Sequence, residues 1–468
     1  MTIDDLKGRR VLILGLGVNN REMTAYLLAQ GVRLTVRERD ETVREQFLKA
    51  HSEFAELIEW QPRDGLSGLE PFEIIFRSPG IPFLSLELQT SQATIYSQTK
   101  LFFDLCPCQI VGITGTNGKG TTATLAYQML SQGYDKGETY LAGNIGEDPF
   151  VFLDRLTPDD IVILELSSFQ LQDLHKSPQV AVLLGISPDH LEKHHDMDEY
   201  VNAKGQILAH QKSEDLAIVN DENLLSASLI AKTPAKVQRY SKHLARRESA
   251  WAATADGDEI AFVQVGEELE SISLRGRRLP GEYNLENILP ALLVGAYFGV
   301  SRPIMQKVVT SFAGLPHRLT LVTSFGGVDY YDDSIATTPE AVQVKLRSFP
   351  GRPIHLIAGG GDKGADYLDL ATDIVENCAS LSLLPGPASL KIKRAVKKTL
   401  SRRSDCSCLI LDKAAEPLFE TILSGIAPHL QEGDIVLLSP AANSLVSFVN
   451  YKERGDLFAK AVIKRQHQ

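Results

Sequence analysis

Cysteine is scarce and odd in number, five in 468 residues. So sparse a set does not make a disulfide framework. Neither Cys106-Pro-Cys108 nor Cys406-Ser-Cys408 has the spacing or the neighbouring histidines of a zinc site, so reduced, partly buried thiols are expected. Positive charge is also in deficit: 48 Lys and Arg stand against 59 Asp and Glu, a formal net charge of -11. A general nucleic-acid binder or a protein drawn to anionic membranes needs the opposite sign, so neither partner is expected. The basic stretches 391–398 and Arg402-Arg403 read as solvated helix faces. No apolar run reaches membrane-spanning length, and the first ten residues lack the apolar core of a signal peptide. Membrane insertion is not expected, and the cytoplasm is the expected compartment. Internal repeats and low-complexity tracts are missing too. What remains is an ordinary globular composition, 43% hydrophobic and 23% charged, long enough for about three domains.

The most informative stretch is Val111-Gly-Ile-Thr-Gly-Thr-Asn-Gly-Lys-Gly-Thr121 followed by Thr122 and an apolar run to Leu130. A short apolar strand from Gln109 to Ile113, a glycine-rich turn and a segment of helical period bring backbone N–H groups and a helix N-terminus to one point. That point attracts phosphate. Gly115 and Gly118 allow a close backbone approach, Lys119 supplies a cation for the β- and γ-phosphates, and the Thr121 hydroxyl can ligate Mg²⁺. The spacing from Gly115 is shorter than in the usual P-loop, and Gly120 stands where Ser or Thr normally follows the lysine.

Around this loop the chain alternates strands and helices. Arg10 to Leu14 reads as a strand, Gly15-Leu-Gly17 as a turn, Glu22 to Gln30 as a helix closed by Gly31, and Val32 to Val36 as a second strand, a Rossmann-like βαβ opening. Asn20-Arg21 replaces the third glycine of the dinucleotide fingerprint, so a uridine or other mononucleotide suits the crevice better than a nicotinamide cofactor. Glu38 and Arg39 follow the second strand, placed to touch a base or ribose or else merely solvated. Ile74 begins a strand that ends at Ser78-Pro-Gly80, where Gly80 is free to approach a ligand, and a boundary is expected near Gln98. Asn144, in Gly143-Asn-Ile-Gly146, either binds substrate or caps its turn. Glu165 interrupts a buried-strand pattern, which is costly unless a cation or a hydrogen-bond partner meets it, and Mg²⁺ is the economical partner. Val180 to Leu184 runs directly into Gly185-Ile-Ser-Pro-Asp-His190, so His190 and Glu165 are expected at the strand ends facing Lys119. Residues 191–195 are expected to be exposed, and Lys204, on a helix from Met197, looks by itself like a surface lysine. Asn284 and Asn287 sit three residues apart, on one face of an expected helix, where they either pack or read a purine. From about Gly314 a third α/β unit carries Leu315-Pro-His-Arg318, Asp333-Ser334, Thr337, Gly359-Gly-Gly-Asp-Lys363 and Ser439-Pro-Ala-Ala-Asn-Ser444 at its strand ends.

Taken in order, Gly112-Ile-Thr-Gly-Thr-Asn-Gly-Lys119, Glu165-Leu-Ser-Ser-Phe-Gln170, Asp189-His190, Lys204, Asn284 with Asn287, Leu315-Pro-His-Arg318 and Asp333-Ser334 resemble the Mur ligase superfamily over nearly the whole chain. The likeness is closest to the members that add glutamate to UDP-N-acetylmuramoyl-L-alanine. The resemblance implies an α/β protein of three domains: a Rossmann-like UDP-binding domain at 1–98, a P-loop ATPase-type central domain at 99–314 and a Rossmann-like glutamate-binding domain at 315–468. It implies a monomer using ATP and two Mg²⁺ ions, with an acyl phosphate as intermediate. Lys119, Glu165, His190 and Lys204 are the implied catalytic residues, with Thr121, Glu165, His190 and a carbamylated Lys204 holding metal. ATP contacts are implied at Gly115, Thr116, Asn117, Gly118, Lys119, Gly120, Thr121, Thr122, Asn284, Asn287, Arg318 and Asp333. Contacts to the UDP substrate are implied at Val18, Asn19, Glu38, Arg39, Gly80, Asn144, Ser167 and Gln170, and glutamate contacts at Thr337, Lys363, Ser444, Leu445 and Tyr451. The chain departs from the family pattern at Ile335, where lysine is usual, at Gly185 for asparagine and at Tyr451 for phenylalanine. The missing lysine keeps L-glutamate open beside D-glutamate, and Ile335 with Gly185 keeps a non-catalytic nucleotide-binding relative open as well. Gly120 gives the loop its folylpolyglutamate synthase form, but residues 1 to about 98 favour the muramyl substrate.

Overall fold

The computed structural model describes residues 1–467 except 63–64, 82, 84, 190–193, 244–249, 256–257, 266–267, 280, 363, 404–407 and 412–417. Its strands form three sheets. The first is made of β1 (Val11–Leu14), β2 (Leu34–Glu38), β3 (Ile58–Pro62), β4 (Ile74–Arg77) and β5 (Thr94–Tyr96), all parallel in the order β3-β2-β1-β4-β5. The second contains β6 (Gln109–Thr114), β7 (Thr139–Gly143), β8 (Ile161–Glu165), β9 (Val180–Leu183), β10 (Leu216–Asn220), β11 (Lys236–Ser241), β12 (Ala250–Ala255), β13 (Asp258–Val265) and β14 (Glu268–Ser273). Its order is β14-β13-β12-β11-β10-β9-β6-β8-β7, parallel except for the antiparallel pairs β12–β13 and β13–β14. The third holds β15 (Thr320–Phe325), β16 (Val328–Asp332), β17 (Ile354–Ala358), β18 (Cys378–Leu383), β19 (Leu409–Leu411) and β20 (Ile435–Leu438), in the order β15-β16-β20-β17-β18-β19.

The parallel strands are short, apolar runs such as Val-Leu-Ile-Leu in β1 and Ile-Val-Leu-Leu in β20, both buried throughout. Parallel strands covered on both faces need this uniform apolarity. The elements read from sequence are present with shifted edges. The first helix runs Val18–Ala29, four residues ahead of the expected Glu22 start. Asn20 explains the shift: fully buried, its side-chain amide donates to Gly15 O at 2.8 Å and ties the first turn of the helix to the preceding loop. The second strand begins at Leu34, because Gly31 and Val32 close the helix through backbone bonds to Leu28 O and Leu27 O. The basic stretch 391–398 lies on the Pro387–Leu400 helix, with Lys391, Arg394, Lys397 and Lys398 exposed and Ile392, Ala395 and Val396 buried, the solvated face that was expected. The thiols of Cys106, Cys108, Cys378 and Cys408 are free, and Cys406 lies outside the described residues.

By contacts the chain divides into two compact units: Met1–Arg275 with Leu285–Val309, and Gly276–Asn284 with Thr310–Gln468. The first unit holds two sheets and the second unit one. Within the first, Leu101, Phe102, Phe150 and Phe152 join residues of both sheets in one core, with Phe102 edge-on to Phe150 and Phe152. A buried charged pair also spans it. Arg77, at the end of β4, donates to Ile81 O at 2.6 Å and to Phe169 O at 3.1 Å and lies 3.8 Å from Asp173, which also accepts from Ser97 Oγ. Burial pushes the Asp173 carboxyl up and lowers the Arg77 guanidinium, so each ion is held charged chiefly by the other. Asp173→Ala leaves Arg77 buried without its counter-ion. Urea unfolding of this variant is expected to show a loss of roughly 3 kcal/mol, with a double replacement of both residues by apolar ones recovering most of it; equal losses in the single and double variants would contradict the pairing.

Candidate functional site

At the end of β6 the chain turns through 115–118 and enters the Lys119–Gly133 helix. Gly118 caps that helix in the left-handed region, φ 83°, with no side chain occupying the cap. A helix N-terminus without a side-chain cap directs its first-turn N–H groups toward the loop, as phosphate binding requires. Both glycines are dictated by neighbours. A Cβ on Gly115 would lie 2.5 Å from Leu184 Cβ, and one on Gly118 1.9 Å from Asn287 Oδ1. Thr116 is pinned on three sides: its N–H donates to Gly185 O at 2.9 Å, its hydroxyl to Ser187 O at 3.0 Å, and that hydroxyl also meets Tyr200 OH at 3.0 Å.

Two lysines converge on this loop. Lys119 Nζ donates to Thr116 O at 2.9 Å and Gly115 O at 3.2 Å, and Lys204 Nζ donates to the same Gly115 O at 2.8 Å. Lys204 is 2% exposed and its ammonium lies 4.6 Å from the Tyr200 ring centre, so the residue that alone looks like a surface lysine is a core one. The helix Met197–Ala209 places it inward together with Tyr200, Ala203 and Ile207. Burial first, and the Lys119 charge second, bring its pKa down to about 7, while Asp189 and Glu165 pull the other way. Glu165 ends β8 opposite Ile113 of β6 and Gly143 of β7, and is itself buried. Asn144 Nδ2 approaches Glu165 Oε1 at 3.5 Å and Gln170 Oε1 at 3.1 Å, and Gln170 closes a capping box with Ser167. The structure thus brings Lys119, Lys204, Glu165, Asn144, Ser167 and Gln170 into one neighbourhood. Thr121 and Thr122 are buried on the first turn of the helix, and the Thr122 hydroxyl donates to Asn287 Oδ1 at 3.5 Å. Asn287 accordingly packs on the phosphate loop. Asn284 does not share its helix but ends a 3-10 turn, Glu282–Asn284, and is buried.

His190 lies outside the described residues. Among the described residues no three His, Cys, Asp or Glu side chains cluster as a metal site. The donor chemistry that is present, a buried carboxylate at Glu165 and a buried hydroxyl at Thr121, suits a hard cation such as Mg²⁺. Lys204 fits such a set only as an oxygen donor, that is as a carbamate, and carbamate formation requires the neutral amine that its depressed pKa supplies. The stretch 191–195 was expected to be exposed, yet His194 is buried: its ring stacks on Phe169 at 4.8 Å, meets Ser168 Oγ at 2.9 Å through Nε2 and Glu199 at 3.2 Å through Nδ1. A run of charged and polar neighbours hid it in the sequence.

Of the residues expected for the UDP substrate, Val18, Asn19, Glu38, Arg39 and Gly80 belong to the part of the chain that forms the first sheet, whereas Asn144, Ser167 and Gln170 lie beside Glu165 at the second. Glu38 is half-buried, and its carboxylate accepts from Leu16 N and Arg39 N at 2.6 Å each and from Asp40 N at 3.2 Å, which shapes the loop ahead of the first helix. Val18 opens that helix, its side chain outside what is described, and Asn19 is half-buried beside it. Arg39 and Gly80 are exposed, and Gly17 lies close to Ser78, near enough for a Cβ there to sit 3.4 Å from Ser78 Oγ.

The second unit has its own polar cluster. Asp333 is fully buried, accepts from Ser439 Oγ at 2.7 Å and Leu319 N at 3.0 Å, and burial pushes its pKa up to about 6. It fixes the turn that carries Arg318, which is half-buried. Tyr451 O accepts from Ser334 Oγ at 2.8 Å, while the wholly buried Arg454 donates to Ser334 O, Ser334 Oγ and Ala442 O. Gly361 and Asn443 exchange backbone bonds of 3.0 and 3.2 Å, so the loop leading to residue 363 runs beside Ser444, which is buried. Leu445 is exposed and Thr337 half-buried, and Lys363 lies outside the described residues. Arg454 was missed in the sequence, although its phase with Phe458, Ala461 and Val462, the buried face of the Tyr451–Gln466 helix, marks it as inward.

Comparison with known proteins adds an independent finding. The family description "Mur ligase middle domain" matches residues 113–295. The chain is 34% identical to the UDP-N-acetylmuramoylalanine--D-glutamate ligase of Acetivibrio thermocellus, covering 98% of this chain and 97% of that one. It is 33% identical to the protein of the same name from Clostridium novyi, with the same coverage. Among solved structures it resembles the UDP-N-acetylmuramate-alanine ligase MurC of Thermotoga maritima, with a TM-score of 0.59 at 16% identity over 98% of this chain and 99% of that one. MurF ligase of Thermotoga maritima in complex with ADP gives a TM-score of 0.58 at 18% identity over 99% and 97% of the two chains.

The buried Lys204 has a signature in stability. Its folded pKa, about 7, is depressed below the 10.5 of a free lysine, so between those values the unfolded chain binds more protons and stability rises with pH. In carbonate-free buffer the native chain is expected to gain on the order of 2 kcal/mol over Lys204→Met between pH 7 and 9 in denaturant titrations. Parallel curves for the two proteins would refute the placement.

Proposed function

The chain belongs to the Mur ligase family, and we propose that it is an ATP-dependent ligase joining D-glutamate to UDP-N-acetylmuramoyl-L-alanine in peptidoglycan precursor synthesis. The family's amide-forming chemistry and its ATP requirement follow from membership. Full-length similarity to relatives named for the D-glutamate reaction supports the choice of amino acid. The observation that carries the mechanism is the meeting of Lys119 and Lys204 on Gly115 O beside the buried Glu165. We assign the sheet of β1–β5 to UDP binding, the phosphate-loop sheet to ATP, and the third sheet to glutamate, in a cytoplasmic monomer.

The substrate carboxylate takes the γ-phosphoryl group of ATP, forming an acyl phosphate; the glutamate amine then attacks the acyl carbon, and the tetrahedral intermediate expels phosphate. Charge on phosphoryl oxygens grows throughout, so fixed positive groups stabilise these steps. The open first turn of the Lys119–Gly133 helix and Lys119 itself hold the β- and γ-phosphates, with Gly115, Thr116, Asn117, Gly118, Gly120 and Thr122 forming the loop around them. Thr121, Glu165, His190 and carbamylated Lys204 would hold two Mg²⁺ ions, which when bound neutralise the phosphates and orient the acyl acceptor. Asn144 and Gln170 orient Glu165 and the substrate carboxylate. Asn284, Asn287, Arg318 and Asp333 serve the nucleotide. Val18, Asn19, Glu38, Arg39, Gly80 and Ser167 serve the UDP substrate, Glu38 by shaping the loop rather than by direct contact. Thr337, Lys363, Ser444, Leu445 and Tyr451 receive glutamate, Lys363 opposing its side-chain carboxylate.

Release of inorganic phosphate from ATP should require both UDP-N-acetylmuramoyl-L-alanine and D-glutamate. L-glutamate as the better substrate would transfer the assignment to the L-specific reaction, and turnover of a folate in place of the muramyl compound would transfer it to folylpolyglutamate synthesis. Nucleotide binding without turnover would favour a non-catalytic relative. Lys119→Ala and Lys204→Ala are each expected to lower kcat by about a hundredfold or more, the scale of losing one preorganised charge at a developing oxyanion. Retention of kcat within a factor of a few in either variant would overturn the assigned mechanism.

A further inference from the structure

Outside the phosphate-loop site, one cluster of nucleophilic side chains has no part in the reaction above. The helix Gln98–Leu105 ends at Cys106, Pro107 follows, and Cys108 leads straight into β6. The two sulfurs are 3.5 Å apart, in van der Waals contact, and Cys106 Sγ lies 3.7 Å from Cys108 O. Proline locks the middle residue and restricts the one before it to extended backbone, and Cys106 has φ -64° and ψ 121°. Both thiols are thus held on the same side of a stiff bend before any bond forms between them. The helix end is itself anchored. Asp104 accepts from the N-terminal ammonium, Tyr96 OH, His175 and Lys176. Burial works against its charge, but these donors bring its carboxyl down to about 2.

The two cysteines are unequal. Cys106 is partly exposed and open to a small oxidant, whereas Cys108 is 5% exposed and packed in the core. The hydrogen bond from the Cys108 thiol lowers the Cys106 pKa, and the same bond together with burial raises that of Cys108. Cys378 and Cys408 are both buried, and burial pushes their thiols up, Cys408 to about 12. Among the four described thiols, only Cys106 combines access with a stabilised thiolate.

From this geometry we infer that Cys106 and Cys108 form a reversible dithiol–disulfide couple, with Cys106 as the attacking thiol, Cys108 as the resolving one and hydroperoxides as the oxidant. The Cys106 thiolate attacks one peroxide oxygen: the S–O bond forms, the O–O bond breaks, and the departing oxygen leaves as water or alcohol after taking up a proton. The Cys108 sulfur then attacks the sulfenic sulfur, forming the S–S bond and breaking S–O, and its thiol proton leaves with the second water. Two thiols are oxidised and one peroxide is reduced. A disulfide between residues two apart closes a small, strained ring, so the oxidised form is readily reduced by a dithiol and the pair behaves as a sensor rather than a permanent brace. The couple sits on the covalent joint between the sheet of β1–β5 and the phosphate-loop sheet, and it does not depend on the ligase reading.

The test uses the full chain, treated with hydrogen peroxide, unfolded, alkylated and mapped by mass spectrometry. The expected result is a species lighter by two hydrogens, with Cys106 and Cys108 linked and protected from alkylation, Cys378 and Cys408 still alkylated, and full reversal by dithiothreitol. In Cys108→Ser the Cys106 sulfenic acid should persist and be trapped by dimedone, and Cys106→Ser should consume peroxide at least about tenfold more slowly than the native chain. The proposal fails if the native chain gives unlinked sulfenic or sulfinic acid at Cys106, if Cys378 or Cys408 oxidises first, or if Cys106→Ser reacts as fast as the native protein.

Discussion

The carbonyl of Gly115 accepts hydrogen bonds from two lysines, and the rest of the site depends on that convergence. Two ammonium groups at one acceptor repel each other, and one of them, Lys204, has lost its water. The arrangement persists because the surroundings relieve it chemically: Lys204 is held near neutrality, and Glu165 and Asp189 supply negative charge nearby. A buried lysine poised between its two protonation states is of little use as a structural brace. The carbamate that we propose for it would turn it from a repelled cation into an oxygen donor beside a phosphate loop.

The backbone serves that convergence. Gly115 has to lack a side chain because Leu184 presses on it from the end of the neighbouring strand, and that pressure delivers Thr116 to Gly185, Ser187 and Tyr200. Tyr200 and Lys204 lie one turn apart on the same helix, so one element both pins the loop and brings the second lysine under it. Asn287 closes the other side against Gly118 and Thr122. The loop is thus held by three separate chain segments, a rigidity that suits a site in which charge must be stabilised without reorganisation.

Much of this was legible in the sequence, for physical reasons that also explain the gaps. The α/β character follows from short apolar runs such as Ile161 to Leu164 bounded by glycine-rich turns, the division into three parts was implied by length and by the family resemblance, and the phosphate loop follows from glycines whose positive φ values are realised at Gly115 and Gly118. Glu165 declared itself as a carboxylate in an otherwise apolar run. Lys204 did not: a lysine reads as a surface residue, although its helical phase with Tyr200, Ala203, Ile207 and Leu208 points inward, and the contact with Gly115 shows where it goes. His194 was hidden differently, since a polar residue in a polar neighbourhood gives no periodic signal until its partners, Ser168 and Glu199, are brought to it by the fold, whereas Arg454 did carry a signal, its helical phase with Phe458, Ala461 and Val462, that went unread. Glu38 was read as placed to touch a base or ribose or else to be solvated, and its bonds to three backbone amides are a further role, set by loop geometry that no residue pattern encodes.

The most direct test is the titration of Lys204 itself, followed through the ¹³C resonance of its Cε in carbonate-free buffer, with Lys119→Met as the companion protein. An inflection near neutral pH that moves upward when the Lys119 charge is removed is the expected result, because burial and that neighbour together depress the value. An inflection close to that of a free lysine, unmoved by the replacement, would contradict the convergence on which the site is built.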